Sequence, residues 1–318
     1  MTPEDEVQIV EVGPRDGLQN LREYVETEKK ISLIRCLAES GLREIESGSF
    51  VNPRAIPQFR DMGGVIKGVL DLEGVKLTAL VPNLKGAQNA LESGIKRLIF
   101  VISVSRSHNL NNVRLTPEES LEELKKIIEL GSAYEGMETH LDLATTFGCP
   151  FEIKVKEEDV LRLAERAGEM GIRKITLCDT VGFANPRQVE QITHTCMETF
   201  PGITFGVHFH NTRGLGLANA LAAYGTGVRF FDSSIGGLGG CPFAPGASGN
   251  VATEDLVFMF NEMGLHTGVD LHRLLKASQY LKEILPNLTL TSALFKAGLP
   301  GQVGLTGKIL ASDQIHYE

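Results

Sequence analysis

Apolar residues along this chain follow two alternating patterns. Short runs that are almost wholly apolar, or that alternate apolar with polar, predict eight β-strands. Between them, apolar residues recur every three or four positions, which predicts amphipathic helices. The predicted strands cover residues 8–12, 43–48, 76–82, 97–104, 138–145, 174–180, 204–211 and 228–234. The predicted helices cover residues 27–40, 56–62, 84–93, 116–134, 157–170, 185–200, 217–224 and 253–263.

This alternation indicates the fold class. Eight strands and eight helices in strict succession are the elements of an α/β protein with a (β/α)8 (TIM) barrel. Further helical patterns follow at residues 271–285 and around 292–297. We therefore expect one barrel over residues 1–267 and a short C-terminal helical extension, packed on the barrel, over residues 268–318.

Composition narrows the classes of partner and compartment. The net charge of -9 argues against nucleic acid or an anionic membrane as a partner. Five cysteines without regular spacing do not form a disulfide framework, which favours a reducing compartment. Residues 1–6 are acidic and precede no long apolar run, so we expect neither a secretory nor a transit signal. A cytoplasmic protein without a membrane span is the resulting prediction.

The segment from residue 206 to 250 concentrates the candidate chemistry. His208 and His210 alternate with apolar residues in a predicted strand, so both imidazoles lie on one face. A glycine-rich stretch follows over residues 236–250, with Cys241 inside it and Asn250 at its end. This stretch matches neither Gly-x-Gly-x-x-Gly nor a P-loop, which argues against nucleotide hydrolysis.

Polar residues also collect at the predicted C-terminal strand ends, where barrels of this kind place their chemistry. Asp16, His208 and His210, with Asn250 as a fourth ligand through its oxygen, form a candidate site for Mg²⁺ or Mn²⁺. The alternative is that a lone His-x-His pair only packs in the barrel. The polar residues at these ends are Arg15, Asp16, Glu46, Asp142, Thr145, Asp179, His208, His210, Cys241 and Asn250.

Two of these residues have candidate roles besides metal binding. Arg15 lies in a tight loop with Gly13 and Gly17, where a guanidinium can stabilise an oxyanion that forms during a reaction. Cys241, among glycines, is a candidate acid. Packing is the simpler interpretation of the remaining cysteines and histidines: Cys36, Cys149, Cys178, Cys196, His108, His140, His194, His266, His272 and His316.

Taken together, several motifs resemble those of the 3-hydroxy-3-methylglutaryl-CoA lyase family, a group of metal-dependent (β/α)8 lyases. The longest is DSSIGGLGGCPFAPGASGNVATED at residues 232–255, and VEVGPRDGLQN at residues 10–20 is the next. Shorter matches fall at residues 46–53, 148–152, 179–182 and 208–210. They span almost the whole predicted barrel.

The resemblance implies a reaction and a role for each matching residue. The reaction is the retro-Claisen cleavage of a 3-hydroxy-3-methylglutaryl-type CoA thioester to acetyl-CoA and a keto acid. Arg15 would hold the thioester carbonyl and its developing enolate, and Cys241 would serve in proton transfer. Glu46 and Asp179 would be catalytic or supporting carboxylates. The implied ligands of the divalent cation are Asp16, His208, His210 and Asn250.

Some positions depart from the family pattern. Asn211 stands where an aspartate is usual, and residues 103–108 carry Arg106 where an acid is usual. A different acyl group is therefore an open alternative, as is a related Claisen-type synthase or aldolase. A non-catalytic barrel that binds acyl-CoA is a third. The tail is too short for the regulatory domain of such synthases, which favours a lyase, and a homodimer is expected.

Overall fold

The computed structural model describes residues 5–240 and 249–300. Its eight parallel strands pair in chain order from β1 to β8, and β8 pairs with β1 to close the barrel. The predicted (β/α)8 fold is therefore confirmed. The strands are β1 Gln8–Glu11, β2 Glu44–Ser49, β3 Lys76–Leu80, β4 Arg97–Ser103, β5 Glu138–Ala144, β6 Lys174–Asp179, β7 Thr204–Phe209 and β8 Phe230–Ser233.

The helices lie outside the barrel, most of them between successive strands and the last three after β8. Most start where the sequence predicted; Thr116, for example, forms a capping box with Glu119. The helices are α1 Thr27–Glu39, α2 Met62–Lys67, α3 Leu84–Glu92, α4 Arg106–Val113, α5 Pro117–Gly131, α6 Glu157–Glu169, α7 Pro186–Thr199, α8 Gly216–Gly225, α9 Thr253–Glu262, α10 Leu271–Ile284 and α11 Ala293–Ala297.

Between the strands, one helix was predicted with the wrong bounds and another was missed. Residues 56–62 form a 3-10 turn at Pro57–Phe59, and the α-helix begins only at Met62. Pro57 fixes its own φ and disfavours helix at Ile56, which explains why the segment is not helical before Pro57. Helix α4 was missed because its sequence, RSHNLNNV, has almost no apolar period. The Ser105 hydroxyl caps it by accepting from the His108 backbone N–H.

The C-terminal helices pack on the barrel. The apolar side chains of α10 belong to the same buried core as the strands and the other helices. Ser278 on α10 donates to Glu254 on α9 at 2.5 Å, and Asp255 accepts from the backbone N–H groups of Ala293 and Leu294 at the start of α11. The described part of the extension therefore packs as expected, while a domain division at residue 268 remains a prediction.

In residues 5–240 and 249–300, no helix combines the length and the apolar character that a transmembrane span requires.

Candidate active site

The turn after β1 carries the first two candidate residues. Gly13–Gly17 forms one turn of π-helix, in which the carbonyl of Val12 faces the backbone N–H groups of Arg15, Asp16 and Gly17 at 3.1, 2.7 and 3.3 Å. Single π-helical turns are rare in proteins as a whole, but those that occur are often at functional sites. Here the turn presents Arg15 and Asp16, neighbours in sequence, to the same cavity.

Glu11 fixes this turn against the loop after β8. Its Oε1 accepts from the backbone N–H groups of Gly13 and Ile235 at 2.7 and 2.9 Å, and its Oε2 accepts from the Thr253 hydroxyl at 2.7 Å. Complete burial raises the pKa of Glu11 to about 8. The sequence analysis gave Glu11 no role, because a charged residue at the end of a strand carries no signal of its partners.

Asp16, His208 and His210 converge on one point. One ligand atom from each lies within 4.8 Å of the others, and Asp16 Oδ2 is 3.9 Å from His210 Nε2. The predicted meeting of these three residues is therefore confirmed. Burial alone would raise the pKa of Asp16, but the nearby Arg15 guanidinium and then the two imidazoles hold it well below its usual range.

The two histidines differ in electrostatic environment. Burial disfavours the charged form of His208, but Asp232 Oδ2 lies 3.3 Å from its Nδ1 and raises its pKa to about 9. His210 has no carboxylate at its Nδ1 among the described residues, and burial together with the charge of His208 lowers its pKa to about 4, although Asp16 opposes the shift. A carboxylate on Nδ1 orients an imidazole so that Nε2 can bind a metal. Asp232 is thus a supporting residue that the sequence analysis missed.

Asn250 lies beside this group, as predicted. It pairs with His210 in an isolated β-bridge, and its Nδ2 donates to Asp16 Oδ2 at 2.7 Å and to the Leu238 carbonyl at 3.1 Å. Asn250 Oδ1, His210 Nδ1 and Glu46 Oε1 are buried and have no hydrogen-bond partner among the described residues. Buried polar atoms without partners are costly, so they indicate a bound group. Two imidazoles, a carboxylate and an amide oxygen fit a divalent cation.

Arg15 is held by two carboxylates. Its Nη1 lies 2.6 Å from Asp16 Oδ1, and its Nε lies 2.8 Å from Glu46 Oε2. Glu46 is buried on β2, and this burial raises its pKa to about 8 although Arg15 opposes the shift. The pairs fix the guanidinium in one orientation beside Asp16. A fixed cation of this kind stabilises charge that develops in a transition state without reorganising.

An open cavity of about 490 Å³ covers this group at the C-terminal ends of the strands. We call it the site cavity. Asp142 on β5 lines it, although the sequence analysis noted this residue at a strand end and gave it no role. Burial, followed by the neighbouring Asp232, raises the pKa of Asp142 to about 7. His108 on α4, interpreted from sequence as packing, also lines the cavity, with its Nδ1 2.7 Å from the Ser103 hydroxyl.

One predicted catalytic residue, Asp179, is not part of this convergence. Asp179 accepts from the backbone N–H groups of Phe183 and Ala184 at 2.8 and 3.1 Å, so its carboxylate holds the loop after β6. This geometry favours a structural role, and a catalytic one remains a prediction. Cys241 lies outside the described residues.

The two departures from the family pattern have structural explanations. Arg106 lies on the surface of α4, with its Nη1 3.7 Å from Glu118 Oε2, and it does not line the site cavity. Asn211 Oδ1 accepts from the backbone N–H of Gly216 at 3.0 Å and holds the start of α8. An aspartate could accept the same hydrogen bond.

Residues 6–281 match the HMGL-like family. The chain belongs to this family. Among HMGL-like relatives, the hydroxymethylglutaryl-CoA lyase YngG of Bacillus subtilis is 46% identical over 87% of this chain and 92% of its own length. The (R)-citramalyl-CoA lyase of Chloroflexus aurantiacus is 39% identical over 95% of each chain. An HMG-CoA lyase of Acinetobacter baumannii, solved with coenzyme A and 3-methylmalate, superposes with a TM-score of 0.90 at 45% identity and covers 95% of this chain and 98% of its own.

Family membership and the site geometry agree. The HMGL-like match covers the π-helical turn, the His-x-His strand and Asn250. The resemblance stated from the motifs is therefore confirmed.

Proposed function

We propose that this protein is a carbon–carbon lyase that cleaves 3-hydroxy-3-methylglutaryl-CoA to acetyl-CoA and acetoacetate. The convergence of Asp16, His208 and His210 beside the fixed guanidinium of Arg15 carries this proposal. It is supported by the 46% identity to a hydroxymethylglutaryl-CoA lyase over most of both chains.

The reaction breaks the bond between the hydroxyl-bearing carbon and the carbon next to the thioester. The hydroxyl proton must leave, and a carboxylate or imidazole must accept it. The electron pair of the broken bond becomes an enolate on the departing acetyl group, and Arg15 stabilises its oxygen. Asp142, Asp16 and His208 line the same cavity as Arg15, so groups for both tasks lie within one pocket.

The metal is proposed to be Mg²⁺ or Mn²⁺. Asp16, His208 and His210 would hold it, with Asn250 through Oδ1, the atom that has no partner among the described residues. When bound there, such an ion polarises the substrate oxygens and lowers the pKa of the hydroxyl. Oxygen-rich sets with two imidazoles suit these ions better than a closed tetrahedral zinc site.

Cys241 is proposed to supply the proton that the enolate takes up, as the family resemblance implies. The Cys241→Ser variant should turn over more slowly while it keeps its metal. Turnover equal to that of the parent would remove Cys241 from the mechanism.

A homodimer and a cytoplasmic location are also proposals, and light scattering of the purified protein tests the first.

A second candidate substrate is a shorter hydroxy acid, such as the citramalyl thioester. The Chloroflexus (R)-citramalyl-CoA lyase matches 95% of this chain, and the Acinetobacter structure holds 3-methylmalate. Citramalyl-CoA would release pyruvate instead of acetoacetate. The same residues could also catalyse the reverse of this cleavage, a condensation, as a synthase does. Product analysis in both directions separates these alternatives. A non-catalytic barrel is disfavoured because the candidate ligand set is complete.

The experiment is an assay of acetyl-CoA release from both thioesters, with Mg²⁺ or Mn²⁺ added. We expect turnover that chelation abolishes and added metal restores, with acetoacetate as the main keto acid. Pyruvate as the main product would favour the second candidate. No cleavage of either thioester, or full activity in chelated protein, would overturn the lyase proposal.

A further inference from the structure

The proposed cleavage needs a group that accepts the hydroxyl proton, and the site has more than one acid besides the candidate ligand Asp16. Two of these acids are already engaged. Glu46 has a side chain only 1% exposed and is paired with Arg15. Asp179 accepts backbone N–H groups with both of its oxygens. Neither residue lines the site cavity.

Asp142 is placed differently. It lies in the middle of β5, between Val101 on β4 and Thr176 on β6, and its side chain points into the barrel. It lines the site cavity together with Val101, Ala144 and Cys178. Among the described residues that line this cavity, the acids are Asp16 and Asp142. Asp142 is therefore the lining acid that metal binding does not require.

The surroundings of Asp142 suit a group that meets substrate. It is almost fully buried, at 6% exposure, beneath the cavity that also exposes Arg15 and His208. The hydroxyl-bearing carbon lies two bonds from the thioester carbonyl carbon, so a thioester oxygen held by Arg15 would keep the hydroxyl within the cavity that Asp142 also lines. The titratable groups that face Asp142 from neighbouring elements are Arg15, Glu46, Cys178, His208 and Asp232.

We propose that Asp142 is a further catalytic residue, which takes the proton from the tertiary hydroxyl of the acyl group. As the O–H bond breaks, its electron pair forms the carbonyl of the keto acid, and the carbon–carbon bond breaks to leave the acetyl-CoA enolate. The enolate is protonated separately, and Asp142 returns its proton to solvent after release. No oxidant or further reactant is needed. This inference rests on the proposed lyase function.

The test is the Asp142→Asn variant, which keeps the size of the side chain but removes its basicity. We expect kcat for acetyl-CoA release to fall roughly 10²- to 10⁴-fold, the usual contribution of a positioned base. Metal content and the Kd for acetyl-CoA should stay within about twofold of the parent, because neither the ligands nor Arg15 changes. Asp142→Glu, which keeps a carboxylate, should recover part of the lost turnover.

Controls separate this inference from its alternatives. Asp71→Asn makes the same chemical change at an exposed residue paired with Arg35, and its kcat should equal that of the parent. If the amide variant fails to fold, Asp142→Ala gives the same comparison. An Asn variant within about fivefold of the parent, or one that loses metal or acetyl-CoA binding in proportion to kcat, would overturn the inference. A parent that cleaves neither thioester would overturn the function instead.

Discussion

The two ends of the barrel both carry buried acids, bases and a histidine, yet they differ in how these groups are satisfied. At the N-terminal end, Glu44, Lys174 and His140 line a cavity of about 580 Å³, somewhat larger than the site cavity. Lys174 Nζ lies 2.5 Å from Glu44 Oε1 and 4.5 Å from the centre of the Phe230 ring. Glu44 Oε1 is also 4.0 Å from His140 Nδ1. We call these three residues the lower cluster.

The comparison shows that volume does not identify the functional end. In the lower cluster, each charged group faces an opposite charge, and no buried side-chain polar atom there lacks a partner among the described residues. At the C-terminal end, His210 Nδ1, Asn250 Oδ1 and Glu46 Oε1 have none. Partly satisfied buried groups are costly unless a ligand completes them. The lower cluster stabilises the fold, whereas the upper group is prepared for a ligand.

The largest expected effect tests the upper group directly. Asp16→Ala removes the only carboxylate of the candidate triad, so we expect metal occupancy and kcat to fall together, with kcat lower by at least about 10³-fold. Elemental analysis of the dialysed variant, alongside the acetyl-CoA assay, measures both. Full metal occupancy in this variant would mean that Asp16 is not a ligand. His208→Ala should behave in the same way.

Arg15→Met should produce the next largest effect. The methionine side chain fills similar space but cannot stabilise an enolate oxygen, so kcat should fall by roughly 10² to 10³. Metal content should remain, in contrast to the Asp16 variant, because Arg15 is not a ligand. Rates within tenfold of the parent would show that another group stabilises the enolate. Circular dichroism provides the check that the fold is intact.

A substitution in the lower cluster should lower the stability of the fold and leave the turnover unchanged. Lys174→Met leaves the buried Glu44 carboxylate without its closest cation, which should lower the free energy of unfolding by about 2–4 kcal/mol. The kcat of the folded variant should stay within about twofold of the parent. Urea denaturation measures the first quantity, and the acetyl-CoA assay measures the second. A large loss of turnover in a folded variant would contradict the division between the two ends.

The smallest expected effect concerns pH. Burial, reinforced by Lys174, lowers the pKa of His140 to about 4 from an ordinary 6.5. The unfolded chain therefore takes up this proton first, so stability is lost as pH falls from about 6.5 to about 4 and changes little from this group above 6.5. His140→Gln should reduce that loss by about 1–3 kcal/mol. Denaturation curves at pH 7 and pH 4.5 measure this loss. If the variant loses as much stability between the two pH values as the parent does, the prediction is wrong.

Sequence patterns predicted the barrel because every strand and most helices have a recognisable local pattern of apolar residues. Every predicted strand exists, and its observed bounds differ by no more than two residues at either end. Helix α4 failed this test, since its polar sequence is helical through the cap at Ser105 and its packing after β4. Within the site, the residues that belong to sequence motifs were predicted, and these include Arg15, Asp16, His208 and His210. Asp142 and His108 carried no motif that told them from packing residues.

What the sequence alone determined is the alternation of elements and the types of the candidate metal ligands, because strand periodicity places His208 and His210 on one face. Tertiary structure decided which polar groups meet. Asp232 reaches His208 only through the pairing of β7 with β8, and Glu46 reaches Arg15 only because β2 lies beside the π-helical turn. Asp142 and Asp179 are both buried acids towards the C-terminal ends of their strands, but Asp142 lines the site cavity, whereas Asp179 accepts from the backbone N–H groups of Phe183 and Ala184. Such contacts join residues far apart in the chain, and no local pattern encodes them.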